Sequence, residues 1–221
     1  YNAAGYVHDY ATYKGQVIEA VRYNHSMKMV WDEFVGKSKN GTFLFQRDYM
    51  DYHADRFVDC SLMFYKKGEL VAVLPANYTS EEQTVYSHGG LTYGGLVLSE
   101  RISVIDTMQV MSCAMEWMKL ALDAKEWEYK PVPHIYHHLP AEEDLYALFR
   151  QGATLKARGV SAAIAKDNIR DGDLIIARRQ TSGIGTHGRS WYTDGCNITL
   201  SLALFPAKNI ENFQNFTYEI A

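Results

Sequence analysis

Residues 103–125 constrain the fold more than any other stretch of the chain. Val104, Met108, Met111, Met115, Met118 and Leu122 recur at three- or four-residue steps. That spacing lays one continuous apolar face along a long helix, with the methionines as core. Such a face is stable only when another layer covers it. The runs around it are too short to be helices of that kind. Residues 61–65 and 70–76 read as two strands joined by the turn Lys66-Lys67-Gly68-Glu69. Val85-Tyr86 and residues 127–132 read as further strands, and residues 17–21 fit a strand or a helical turn equally well.

Two shorter helices complete the pattern. Ser26 stands at an N-cap position ahead of Met29, Val30, Phe34 and Val35, and Lys39-Asn40-Gly41 ends that helix, with Gly41 suited to a left-handed cap. Residues 141–150 form the other. Glu142, Glu143 and Asp144 favour the helix dipole in its first turn, and Gly152 closes it. Residues 1–16 have no period and read as a loop or a loosely tied terminus. Residues 153–164 read as the next strand region. The order of strands and helices is that of an α/β protein.

The texture changes near residue 165. Residues 168–173 form a polar turn, 174–177 a short buried strand, 180–189 a Gly-rich loop and 198–204 an alternating strand that Pro206 ends. A helix is expected from Asn212 onward. No Pro-, Ser- or Gly-rich spacer separates the two textures.

Composition excludes several classes. With 47% hydrophobic and 22% charged residues among 221, the chain is not disordered. It has no run of about 18 apolar residues and no opening signal segment, so no membrane span or export is expected. A net charge of −4 offers no field for nucleic acid. Cys60, Cys113 and Cys196 lie far apart and outside any metal or redox spacing, which suits a reduced, cytoplasmic protein.

Several residues are candidates for chemistry. Residues 87–95, Ser-His-Gly-Gly-Leu-Thr-Tyr-Gly-Gly, suit a backbone cradle for an acceptor or, better, a close passage of strands or a bulge. They lack Gly-Lys-Ser/Thr and are not a nucleotide loop. His134, His137 and His138 sit beside Pro131, Pro133 and Pro140, which oppose the helical spacing that a metal site would use; they read as turn histidines, and no metal is expected. Arg47, Asp48, Asp51, Asp55 and Arg56 could orient a polar acceptor, but a solvated or capping role fits them better.

Residues 40–53, 74–77, 87–95, 129–136 and 140–150 carry a family likeness. They resemble a bacterial group of GNAT-fold acyltransferases related to the Fem-type aminoacyl transferases. The resemblance spans about residues 17–160, within a domain expected at 17–164, and covers the first of two GNAT-like halves. It implies a mixed sheet with flanking helices and acyl transfer from an acyl-coenzyme A or aminoacyl donor to an amine or other small-molecule acceptor. No loop between Val17 and Val160 has the donor-binding signature of that superfamily. The resemblance therefore implies an incomplete module without the acyl-donor site, inactive by itself, with its catalytic residues unassigned.

Residues 165–221 are similar to a different family. Residues 171–192, with Gln180, a Gly-rich loop and Gly188-Arg189-Ser190-Trp191, followed by 197–202, resemble biotin protein ligase. That resemblance implies biotin and ATP as substrates and a short β-rich fragment. It places Gln180 at biotin's polar ring and Thr181 among the residues that contact biotin or the adenylate. Gly183, Gly185 and Gly188 would shape a loop over biotinyl-adenylate, Arg189 would support that loop electrostatically, and Trp191 with the strand from Ile198 to Leu202 would line or brace the biotin pocket. Ile184 and Thr186 stand where the family often has arginine, which implies weaker hold on the adenylate. Two partial resemblances meeting near 164–166 imply a chimeric arrangement, a scaffold without catalysis as the alternative reading, and self-association through an incomplete sheet.

Overall fold

The computed structural model describes residues 12–14, 17–52, 54–158, 174–177 and 199–202. Its contacts divide the chain into two units, Tyr1–Leu155 and Lys156–Ala221. The expected change near 164–166 lies outside the described residues.

The first unit holds two sheets. One is formed by β1 (Thr12–Lys14), β2 (Ile18–Arg22), β4 (Leu62–Lys66), β5 (Glu69–Leu74) and β8 (Val97–Leu98), in the order β1-β2-β4-β5-β8 and antiparallel throughout. The other contains β3 (Val58–Asp59), β6 (Asn77–Thr79), β7 (Thr84–Tyr86) and β9 (Glu126–Glu128), in the order β3-β6-β7-β9, with β9 parallel to β7. The β4–β5 hairpin turns on Lys67 and Gly68, both left-handed at φ 52° and 83°. That pair matches the right-handed strand twist, which ordinary turns would splay.

Alternation along the strands feeds two cores. Leu62, Phe64, Ala72, Leu74 and Leu98 face α3 (Val104–Leu122), whereas Met63, Val73 and Val97 pack with α1 (Lys28–Lys37) through Trp31 and Val35. Covering both faces of one sheet is the α/β solution expected from the pattern. Each fully buried large side chain contributes about 1.5–3 kcal/mol. Two further helices are α2 (Arg47–Asp51) and α4 (Glu143–Arg150).

The helix ends follow local chemistry. Ser103 caps α3, its Oγ accepting from the Asp106 N–H at 3.1 Å, and Asp123 closes it in the left-handed conformation. Gly152, at φ 76°, follows α4 as expected. The inward face of α3 is rotated from the methionine stripe. Met111 and Met118 are buried, but Val104 and Met115 are exposed, and Thr107, Val110, Ala114 and Trp117 take the core side. Small Thr107 and Ala114 let the helix approach the sheet, and Trp117 buries more apolar area than a methionine.

Other expectations are corrected. Asn24, not Ser26, caps the turn before α1, its Oδ1 accepting from the Ser26 N–H at 3.0 Å. Gly41 is not left-handed; a Cβ there would lie 2.3 Å from Ser38 Oγ and from the Val35 carbonyl, so the glycine serves a close approach. Thr12–Lys14 is a strand where only a loop was expected. The strand expected at 127–132 is Glu126–Glu128, because Pro131 and Pro133 have no N–H for a ladder. Strands β3, β6 and β8 have too few residues to show a period. Residues 153–158 contain no strand, and 159–164 lie outside the described residues.

In the second unit, β10 (Leu174–Ala177) and β11 (Thr199–Leu202) pair antiparallel, with Leu174 opposite Leu202. Both strands were expected. The loop at 180–189 and the helix from Asn212 fall outside the described residues.

Candidate functional site

The expected ligand residues Gln180, Thr181, Gly183, Gly185, Gly188, Arg189 and Trp191 lie outside the described residues. The first unit supplies the site that can be built from side chains. It begins with the histidine turn. Pro133 enters a 3-10 turn at His134–Tyr136, after which the chain runs extended through His137. The backbone N–H groups of His138 and Leu139 both donate to the Lys39 carbonyl, at 2.8 and 3.1 Å, and so pin the turn to the segment after α1. His137 Nε2 lies 3.0 Å from the Val132 carbonyl and His138 Nε2 lies 3.1 Å from the Gly41 carbonyl. A carbonyl only accepts, so each Nε2 carries a hydrogen, and in the neutral imidazole the acceptor is then Nδ1.

Lys39 is the second part. Its side chain is only 4% exposed and its ammonium donates to Glu143 Oε1 at the start of α4. The other carboxylate oxygen, Glu143 Oε2, is covered and has no partner. Lys39 is held deep by its neighbour: the Asn40 amide donates to the Leu96 carbonyl and accepts from the Leu98 N–H, both at 2.8 Å, so one side chain continues the ladder beside β8.

A buried relay supports this floor. The Leu96 N–H donates to Tyr129 Oη at 2.7 Å, and the Tyr129 hydroxyl donates to Asp144 Oδ2 at 2.5 Å. Burial pushes the Tyr129 hydroxyl well above its ordinary range and raises the Asp144 carboxyl. Burial also lowers the Lys130 ammonium, which donates to the Leu91 carbonyl at 2.6 Å. Asp144 thus anchors α4 inside the core, whereas its first-turn position alone had suggested only a dipole role.

Above that floor lies an open cleft of about 660 Å³. His134, His137, His138, Glu142, Glu143 and Tyr146 carry its polar groups, and Val104, Leu139 and Pro140 its apolar wall. Among the described residues, no group of three or more His, Cys, Asp or Glu is placed to hold a metal ion. A second cleft of about 730 Å³ lies beside β9 and the end of α3, with charges of both signs from Glu116, Lys119, Asp123, Lys125 and Glu126.

The glycine segment 87–95 is structural. A Cβ on Gly94 would lie 1.6 Å from the Ser87 carbonyl oxygen, and Gly95, at φ 81°, sits against the Tyr129 ring. The acidic segment divides. Asp48, Asp55 and Arg56 are exposed, as expected. Arg47 is not solvated. It is wholly buried, its guanidinium 3.4 Å over the Tyr23 ring and 4.1 Å over the Trp31 ring, and Nη1 donates to Asp59 Oδ2 at 2.5 Å. Two aromatic faces can replace water for a weakly hydrated guanidinium. Lys39 and Glu143 were missed as a pair because 104 positions separate them. No helix among the described residues is long and apolar enough to cross a membrane.

Comparison with known proteins adds three findings. No curated protein matches the chain. A solved structure described as a possible acetyltransferase from Clostridium difficile 630 overlays with a TM-score of 0.39 at 7% identity, covering 68% of this chain and 99% of that one. Residues 154–221 match the Biotin/lipoate A/B protein ligase family.

Proposed function

We propose that the chain is a module of acyl transfer, in which an activated acyl group passes to an amine. The observation that carries this reading is the match of residues 154–221 to the Biotin/lipoate A/B protein ligase family. Chemistry of that kind needs a carboxylate activated as an adenylate, a loop that approaches the phosphate closely, and an amine that receives the acyl group. Gly183, Gly185 and Gly188 are the residues we assign to the loop, with Arg189 facing phosphate and Gln180, Thr181 and Trp191 facing the acyl head group. Biotin or lipoate is the proposed acyl group and ATP its activating partner. The unit Tyr1–Leu155 is proposed as the acceptor side, with the GNAT and Fem likeness as the finer form of the same reading.

Binding tests this directly. A non-hydrolysable sulfamoyl analogue of biotinyl- or lipoyl-adenylate, titrated into the full chain by calorimetry, is expected to bind saturably. Arg189→Gln is expected to weaken binding about tenfold, the value of one charge-assisted hydrogen bond. No heat from either analogue would end the reading. Tight coenzyme A binding without adenylate binding would move the donor to a thioester.

A further inference from the structure

We propose that the histidine cleft at the start of α4 binds a primary ammonium group on an apolar stem. The inference rests on the acyl-transfer reading for its biological sense, because such an ammonium is the protonated form of an amine acceptor. Its physical basis is the cleft itself.

The charge balance comes first. Lys39 and Glu143 neutralise each other, so the remaining fixed charge on the cleft wall is the exposed carboxylate of Glu142. A cleft with one sign of charge draws the opposite ion, and low-dielectric walls strengthen that field. An anion would meet Glu142, and among the described residues that line the cleft there is no lysine or arginine to offset it; the Lys39 ammonium is buried on Glu143.

Hydrogen-bond chemistry then selects among cations. The cleft offers acceptors. With Nε2 of His137 and His138 on the Val132 and Gly41 carbonyls, the neutral form of each ring keeps its lone pair on Nδ1. Glu143 Oε2 has no donor, and a covered carboxylate oxygen without one is costly. The Glu143 side chain is 22% exposed and is part of the cleft wall. An ammonium supplies three donors and accepts none, which suits this set. A quaternary ammonium has no donor and would leave the lone pairs unmet. A metal ion would need three or more ligands in place, and the described residues hold no such group.

The apolar wall defines the rest of the ligand. Val104, Leu139, Pro140 and the ring of Tyr146 can cover a short alkyl stem beside the polar end. A lysine side chain has this form, a compact ammonium on a flexible four-carbon stem.

The test is a titration of the full chain with n-butylammonium at neutral pH, followed through the ring C–H signals of the histidines. The expected result is a saturable shift of the His137 and His138 signals. N-butylacetamide, which keeps the stem and loses the charge, is expected to leave them unmoved. Glu142→Gln and Glu143→Gln are each expected to weaken binding about tenfold. Glu143→Gln also removes the partner of Lys39, so Glu142→Gln, at an exposed position, decides the matter if the other variant does not fold. Equal shifts from the neutral amide, no shift from the ammonium, or an unchanged titration in Glu142→Gln would overturn the proposal. The outcome is separate from adenylate binding: an adenylate-binding chain that ignores the ammonium sinks only the cleft assignment. An ammonium-binding chain that ignores adenylates sinks only the acyl-transfer reading.

Discussion

The Tyr129 hydroxyl donates to Asp144 Oδ2 at 2.5 Å while its oxygen accepts the Leu96 N–H at 2.7 Å, so one phenol joins the end of β9, the approach to β8 and the first turn of α4. Removing it orphans a buried donor and a buried acceptor together. Tyr129→Phe is therefore expected to cost about 2–3 kcal/mol, read by chemical denaturation. The ring also packs against Trp127 in an edge contact at 5.3 Å, which phenylalanine keeps. A loss below about 0.5 kcal/mol would show that the hydroxyl contributes nothing beyond its ring.

Arg47 demonstrates that charge and exposure separate. The guanidinium lies between Tyr23 and Trp31, and its Nε and Nη2 have no partner in the buried shell. Arg47→Lys keeps the charge but loses the planar group that contacts both rings, and it puts a strongly hydrated ammonium in a dry place. The expected cost is about 2 kcal/mol, with a matching fall in the denaturation midpoint. Arg47→Met, which fills the space without charge and leaves the Asp59 carboxylate with the Ser61 N–H but without the Arg47 cation, separates stacking from pairing. If it proves more stable than Arg47→Lys, burial of the charge is the larger burden.

These two sites mark where sequence reasoning reaches and where it stops. The α3 helix, the β4–β5 hairpin and the β10–β11 strands were legible because each depends on neighbours within one turn or one hairpin. The rotation of α3 was not, since Thr107 and Ala114 are chosen for how closely the helix meets the sheet. The flanking prolines mark His134, His137 and His138 as turn residues, and the 3-10 turn at His134 and the Nε2 contacts of His137 and His138 with backbone carbonyls agree with that. The cleft that they line needed Glu143 beside Lys39, and nothing local to either residue announces the other. Arg47 looked solvated because its neighbours Asp48, Asp51 and Asp55 are acidic, whereas Tyr23 and Trp31, 24 and 16 positions earlier, bury it.

Two aspartates are expected to move stability in opposite directions with pH. The Lys66 ammonium donates to Asp106 Oδ1 at 2.7 Å and holds that carboxyl below its ordinary value of 3.8. Its contribution is present above 3.8 and is lost as pH falls through the lowered value. Burial raises Asp144 above the same value, so its native form holds the proton more tightly than the unfolded chain does. Its contribution is present below 3.8 and is lost as pH rises through the raised value. Lys66→Met should flatten the acid side of a stability–pH curve by about 0.5 kcal/mol, the scale of a partly exposed pair. Asp144→Asn should gain on the parent as pH rises from 4 toward neutral. A constant offset between Asp144→Asn and the parent would show that Asp144 titrates alike folded and unfolded.

Cys60 is 1% exposed, and burial pushes its thiol far above the ordinary range, with the Asp59 carboxylate acting the same way. The thiolate is the reactive form, so Cys60 is expected to resist iodoacetamide in the native chain and to react when denaturant opens it. Peptide mass mapping distinguishes the two states. Modification of Cys60 without denaturant would require the strand end at residues 60–62 to open locally.

Two glycines give the sharpest contrast in backbone chemistry. A Cβ at Gly94 would lie 1.6 Å from the Ser87 carbonyl oxygen and 2.6 Å from its carbon, both backbone atoms that cannot swing aside. The same stretch is fixed from the other side, because the Gly94 N–H donates to the Lys130 carbonyl at 2.9 Å. Gly94→Ala must therefore displace a strand connection, and its expected cost exceeds about 3 kcal/mol. Gly36 lies in α1 with nothing within 4 Å of its added Cβ. There the substitution removes backbone freedom from the unfolded chain without a clash, and Gly36→Ala is expected to gain about 0.5–1 kcal/mol. Thermal denaturation of both variants beside the parent reads the two signs in one experiment. Equal effects at the two positions would mean that residues 87–95 yield to a side chain, and the close passage would then not be what requires glycine there.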